Sequence, residues 1–196
     1  MGESEMSNGR TAEPIQRKPL RLWPGVVAVM LQWLVRFGVP ILVPGAVEFG
    51  AIGGLAGGLA IIVWWAFFSR APRLERWGAV VLMIVALIAT SRFLHESLAT
   101  AGMGMLFPIY AIPILSLAFV VWAVASRHLP DGPRRVSMVA TILLGCGVWA
   151  LIRTGGITGD LDSDFAWRWA ETPEERLLAQ AADEPMAIHS VPPGEE

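Results

Sequence analysis

Five apolar runs, at about Trp23 to Val43, Phe49 to Phe68, Trp77 to Phe93, Met103 to Ala125 and Val136 to Ile152, leave this chain few ways to fold. Each is close to the ~20 residues that carry an α-helix across a bilayer, with the third and fifth on the short side. Barrel strands would alternate apolar and polar residues, whereas these runs are apolar throughout, so the backbone must satisfy its own hydrogen bonds as helix. With 54% hydrophobic and 16% charged residues, the 196-residue chain is too apolar for an ordinary soluble domain. The expected fold is all-α, an integral membrane bundle of five transmembrane helices.

The connecting segments orient that bundle. Arg10, Arg17, Lys18 and Arg21 precede the first run, Arg70, Arg73 and Arg76 follow the second, and Arg127, Arg134 and Arg135 follow the fourth. The remaining two connections, PGAVE and LHESLATAG, contain neither Lys nor Arg. Five spans place every basic segment on one side, which the positive-inside rule makes the cytoplasm of a bacterial inner membrane, and release residues 154–196 on the periplasmic side. Four or six spans would break this agreement. The released tail carries ten acids against Arg168 and Arg176, a net charge of -8 within a whole-chain charge of -2. Because the positive charges fall between apolar runs, membrane orientation explains them and nucleic acid is not an expected partner. Cys146, the single cysteine, lies within the fifth run and forms no internal disulfide. Residues 1–21 are polar, without apolar periodicity, and read as a disordered cytoplasmic leader rather than a cleaved signal, since Arg36 interrupts the long run behind them.

Within the runs, Gly50, Gly54 and Gly58 recur every four residues, with Gly53 and Gly57 on a neighbouring line. That spacing makes a groove for close helix approach, inside this bundle or across a dimer. A phosphate-binding loop needs a different glycine pattern after a strand. Trp64, Trp65 and Trp77 flank a basic connection, where indoles anchor at the headgroups. Pro113 lacks an N–H within the fourth run and is expected to kink it, while Pro108 suits a first turn.

Beyond Arg153 a glycine turn leads into Asp160, Asp162 and Asp164, with Glu171 at the twelfth position, the acidic spacing of a calcium loop. The sixth position is Phe165 where such loops need glycine, so the segment reads as solvated acid. Trp167 and Trp169 are expected on the outer headgroups. Thr172, Pro173 and Glu175 form a capping-box start for a short helix over about 173–182. His128 and His189 stand alone and His95-Glu96 does not continue as H-E-x-x-H, so neither a metal site nor a Ser-His-Asp triad is indicated.

Arg36 falls within a span, where a charge needs a partner, water or a route to the headgroups. The topology gathers Glu48, Arg92, His95, Glu96 and Arg153 on the same outer side. Such a cluster either forms a rim ion network, with Arg36 snorkelling outward, or holds a quinone head group with Arg or His as donors and Glu48 or Glu96 as proton relay.

From Ala140 to Gln180 the chain, ATILLGCGVWALIRTGGITGDLDSDFAWRWAETPEERLLAQ, resembles the membrane-embedded N-terminal region of bacterial PQQ-binding-like β-propeller proteins. The resemblance extends more loosely over 22–180, including W-W-x-F-F-S-R at 64–70 and G-M-G-M at 102–105. The five-span plan is also similar to the anchor of membrane-bound quinoprotein glucose dehydrogenase. The resemblance implies a membrane segment leading into a propeller, and through that propeller a PQQ cofactor. No ~40-residue strand repeat is present in this sequence, so none of the family's cofactor or catalytic residues transfers. The sequence thus favours a non-catalytic inner-membrane anchor presenting a periplasmic segment to a propeller domain or partner. A quinone-binding redox subunit comes second, and a small transporter or channel third, since no repeated half is present.

Overall fold

The computed structural model of this protein describes residues 22–43, 45–157 and 163–183. The leader and the residues from 184 onward lie outside them. Five helices long and apolar enough to cross a bilayer dominate the chain: Trp23–Leu42, Val47–Phe68, Arg73–Phe93, Leu106–His128 and Asp131–Leu151, spans 1 to 5. Spans 3 and 5 are longer than their apolar runs because they begin inside the basic connections. Pro72 and Pro130 sit immediately before them, and a first helical turn tolerates polar residues at the membrane boundary. Span 4 starts later than its apolar run, since Gly102, Met103 and Gly104 all take positive φ, at 57°, 56° and 81°. Three left-handed residues in succession cannot belong to an α-helix.

Span 4 is the centre of the bundle. It packs against spans 1 and 2 on one side and span 5 on the other, while span 3 packs against span 5. The main core joins Trp64, Trp65, Phe119, Trp122, Ile61, Met83, Ile142 and Cys146. A smaller one, towards the other end, joins Leu98, Leu106, Phe107, Ala111 and Trp149. Trp64 and Trp65 are therefore not headgroup anchors as expected; they are 4% and 0% exposed. The last turn of span 2, Trp64–Phe68, is π-helical, and Trp65 meets the Phe119 ring edge-on at 4.8 Å. Trp64 lies over Gly25, where an added Cβ would fall 2.5 Å from the indole, so the first span's glycine is what admits the ring. Trp77 is half exposed and keeps a surface position.

Ile41, Leu42, Phe49, Leu59, Ile88 and Leu144 are among many large apolar side chains that face outward. A patch on this scale drives aggregation in water but is the ordinary exterior of a bundle in lipid.

The all-α expectation needs one correction. The fifth span passes without a linker into strand β1, Ile152–Ile157, which pairs antiparallel with β2, Ser163–Trp167. Ile152 stands opposite Trp167, Arg153 opposite Ala166 and Thr154 opposite Phe165. Thr154 and Gly155 are thus strand rather than the start of a turn, because leaving the helix frees backbone groups that the second strand satisfies. A short helix, Glu96–Thr100, lies beside the hairpin, and an external helix, Pro173–Asp183, follows it.

Candidate functional site

Of the outer-side residues expected to cluster, only Arg36 is buried, at 5% exposure. It sits in a π-helical turn, Leu34–Gly38, that interrupts span 1. Single π turns insert an extra residue and re-aim one side chain. Pro40 has no N–H to give the Arg36 carbonyl, and that carbonyl instead faces Gly50, where an added Cβ would lie 2.9 Å away. Along the stem, Gly54 leaves room for Arg36 Cδ and for Pro113, each 3.3 Å from where a Cβ would stand. Gly58 faces Ile112 and Ser116 of span 4. The glycine line of span 2 is therefore packed inside the bundle, against span 1 and span 4.

The guanidinium carbon of Arg36 lies 4.9 Å from the ring centre of Tyr110 and 5.2 Å from that of Phe37. Among the described residues no carboxylate forms a salt bridge with it. One turn earlier, Gln32 is 2% exposed; its Nε2 donates to the Gly54 carbonyl at 2.7 Å, and its Oε1 has no hydrogen-bond partner among the described residues. Arg36 does not snorkel. It is a cation enclosed by aromatic faces, which attract it electrostatically.

Of the other five, two hold structure, His95 and Arg153. Glu48, Arg92 and Glu96 are exposed, at the ends of their own helices. His95 caps the short helix: its Nδ1 accepts from the Ser97 amide at 3.3 Å, and Ser97 Oγ accepts from the Thr154 amide at 3.2 Å. Arg153 donates to the carbonyls of Trp167 and Ala170, closing the hairpin over the last span. Arg168 returns the bond, donating to the Ala150 carbonyl at 3.2 Å.

Phe165, the residue that spoils the calcium spacing, is the hairpin's apolar foot. It meets Tyr110 at 5.1 Å and Trp149 at 5.9 Å, both edge-on, and Trp149 continues to Phe107 at 6.0 Å. The calcium set is not assembled within the described residues. Asp160 and Asp162 lie outside them, Asp164 is exposed on β2, and Glu171 pairs at 4.0 Å with Arg176. Among the described residues no group of three His, Cys, Asp or Glu side chains is placed to hold a metal.

The external helix begins with a reciprocal cap: the Thr172 amide donates to Glu175 Oε2 at 2.7 Å and the Glu175 amide to Thr172 Oγ1 at 2.9 Å. The hydrogen bonds from Thr172 hold the Glu175 carboxyl below its ordinary value. Leu177 and Leu178 on this helix stay largely exposed, as do Trp167 and Trp169, which stack at 5.3 Å.

At the opposite end lies a centre that sequence reasoning missed. Glu75, in the first turn of span 3, has a side chain only 1% exposed. Arg135 Nε donates to its Oε1 at 3.2 Å, and Arg134 Nη1 lies 3.8 Å from its Oε2. Arg134 also stacks over Trp122 at 5.6 Å, whose Nε1 donates to Ser137 at 2.9 Å. The available signal was Glu75 itself, the one acid in the basic connection R-A-P-R-L-E-R.

These features define a helical bundle with five helices long and apolar enough to cross a membrane and a two-stranded hairpin at one end. No family model, no curated protein and no solved structure matches the chain.

Proposed function

We propose that this chain is a non-catalytic anchor of the bacterial inner membrane, with residues 1–21 cytoplasmic and the hairpin and external helix periplasmic. There it presents that segment to a PQQ-like β-propeller domain or partner. The observation that carries the reading is the contrast within the external segment. Its base is tied to the bundle by Arg168, the Ser97–Thr154 bond and Phe165, with Arg153 closing the hairpin on itself, whereas Leu177, Leu178, Trp167 and Trp169 stay uncovered. A segment held so firmly at its root and left open at its face is built to carry something. Purification in mild detergent from the native membrane tests it, with identification of whatever is retained in fixed ratio. A propeller protein that is lost on substituting Leu177 and Leu178 with serine supports the anchor. A folded chain with neither a fused nor a bound propeller overturns it.

A second reading, a redox subunit binding a quinone, rests on Arg36 alone. A buried cation without a carboxylate, one turn from the unpartnered Gln32 Oε1, offers a donor and an acceptor to a quinone or quinol head group. Quinone extracted with the purified protein, and absent from an Arg36→Leu preparation of equal stability, supports it. A preparation free of quinone removes it.

A further inference from the structure

We infer that the basic end of the bundle holds the phosphate group of an anionic phospholipid, with Arg134 as the floor of the site and Arg135 as its entrance. Residues 70–76 and 127–135 contain six arginines, Arg70, Arg73, Arg76, Arg127, Arg134 and Arg135, against two carboxylates, Glu75 and Asp131. The structure brings Arg134 and Arg135 onto Glu75, so the arginines outnumber the carboxylates of these two segments. Arg134 is 8% exposed, yet among the described residues its Nε and Nη2 have no hydrogen-bond partner, and neither does Arg76 Nε on the neighbouring span. A buried guanidinium with open donors is costly unless an anion completes it, and a phosphate oxygen matches its fork.

Two helix termini add to the same place. Spans 3 and 5 both begin here, behind Pro72 and Pro130, and neither start has a side-chain cap. Their positive dipole ends favour an anion, which the arginines then fix.

Location selects the lipid over a free ion. The site lies in the first turns of two spans, at the depth of headgroups. Leu74 and Trp77 of span 3 and Val136 and Leu143 of span 5 run outward from it, all exposed, as a bed for acyl chains. Basic pockets between helices on the positive side are the places where acidic headgroups settle.

The test uses the full chain, delipidated in a neutral detergent, with its melting temperature followed on adding phosphatidylglycerol, phosphatidylcholine or inorganic phosphate. Phosphatidylglycerol is expected to raise the melting temperature by about 5 °C at saturation, with the other two having little effect. The half-exposed Arg135→Gln should lose at least half of that shift, whereas Arg127→Gln, exposed at the same end, should keep it. Because Arg134→Gln risks the fold, lipid retained by the parent and the Arg135 variant is also counted by native mass spectrometry. Equal protection by inorganic phosphate overturns the lipid source. Equal protection by phosphatidylcholine, or an undiminished shift in Arg135→Gln, overturns the site.

Discussion

Arg36 and Arg134 are both nearly enclosed, and both lie over aromatic rings, but they are stabilised differently. Arg134 stands in the first turn of a span beside the buried carboxylate of Glu75. Arg36 stands well inside a span, with Tyr110 and Phe37 in place of a counter-charge. A charge near the membrane boundary can be tied into an ion bridge that pins two helices, so removing either partner strands the other. A charge held by ring faces in the interior retains much of its desolvation cost, so its removal relieves as much as it loses. Burial alone does not say whether an arginine holds a bundle together.

Glu75→Gln should break the comparison open most widely. It leaves Arg134 and Arg135 without their carboxylate and is expected to cost about 3–5 kcal/mol, read as a lowered melting temperature in detergent. A loss below about 1 kcal/mol would put this bridge among surface pairs instead. Next comes Gly50→Val. A Cβ there would stand 2.9 Å from the Arg36 carbonyl, so spans 1 and 2 must part, at about 1–3 kcal/mol. Arg36→Met should change stability by less than about 1 kcal/mol, with either sign, since the lost ring contacts offset the relieved desolvation. A loss matching that of Glu75→Gln would reveal a counter-charge and erase the difference between the two arginines. Phe165→Ala should leave the five spans melting as before while proteolysis of residues 163–183 speeds up several-fold, because the hairpin loses its foot on Tyr110 and Trp149. The smallest effect concerns Glu175, whose carboxyl is held below its ordinary value. A lowered folded value means the cap's contribution is complete above the ordinary glutamate range and is lost as pH falls through the lowered value. Protection of the amides of the external helix should fade in that window, and Glu175→Gln should remove the pH dependence.

The existence of five spans could be read from hydropathy because lipid imposes one simple demand on every residue of a run, and the cap at Thr172 could be read because its bonds are local. What escaped the sequence depends on distant partners. Glu75 and Arg135 are sixty positions apart, and nothing local says that the acid of R-A-P-R-L-E-R turns inward. Trp64 and Trp65 resemble interface anchors until the π-turn and Gly25 give them room inside. The hairpin was hidden because its first strand contains Gly155 and Gly156, which read as a turn unless the pairing strand is known. In the candidate site, the sequence marked Arg36 as exceptional but grouped it with five residues of which His95 and Arg153 close a helix end and the hairpin while Glu48, Arg92 and Glu96 stay exposed.

The direct passage of span 5 into β1 has a mechanical consequence. One helical rod, an α-helix Asp131–Gly147 closed by a 3₁₀ turn Val148–Leu151 and therefore about 30 Å long, carries the ion bridge of Arg134 and Arg135 at one end and the root of the hairpin at the other. With no linker between Leu151 and Ile152, a tug or twist on the hairpin acts directly on the last turn of that helix. The same helix meets Glu75 at its other end, so the hairpin and the ion bridge share one element.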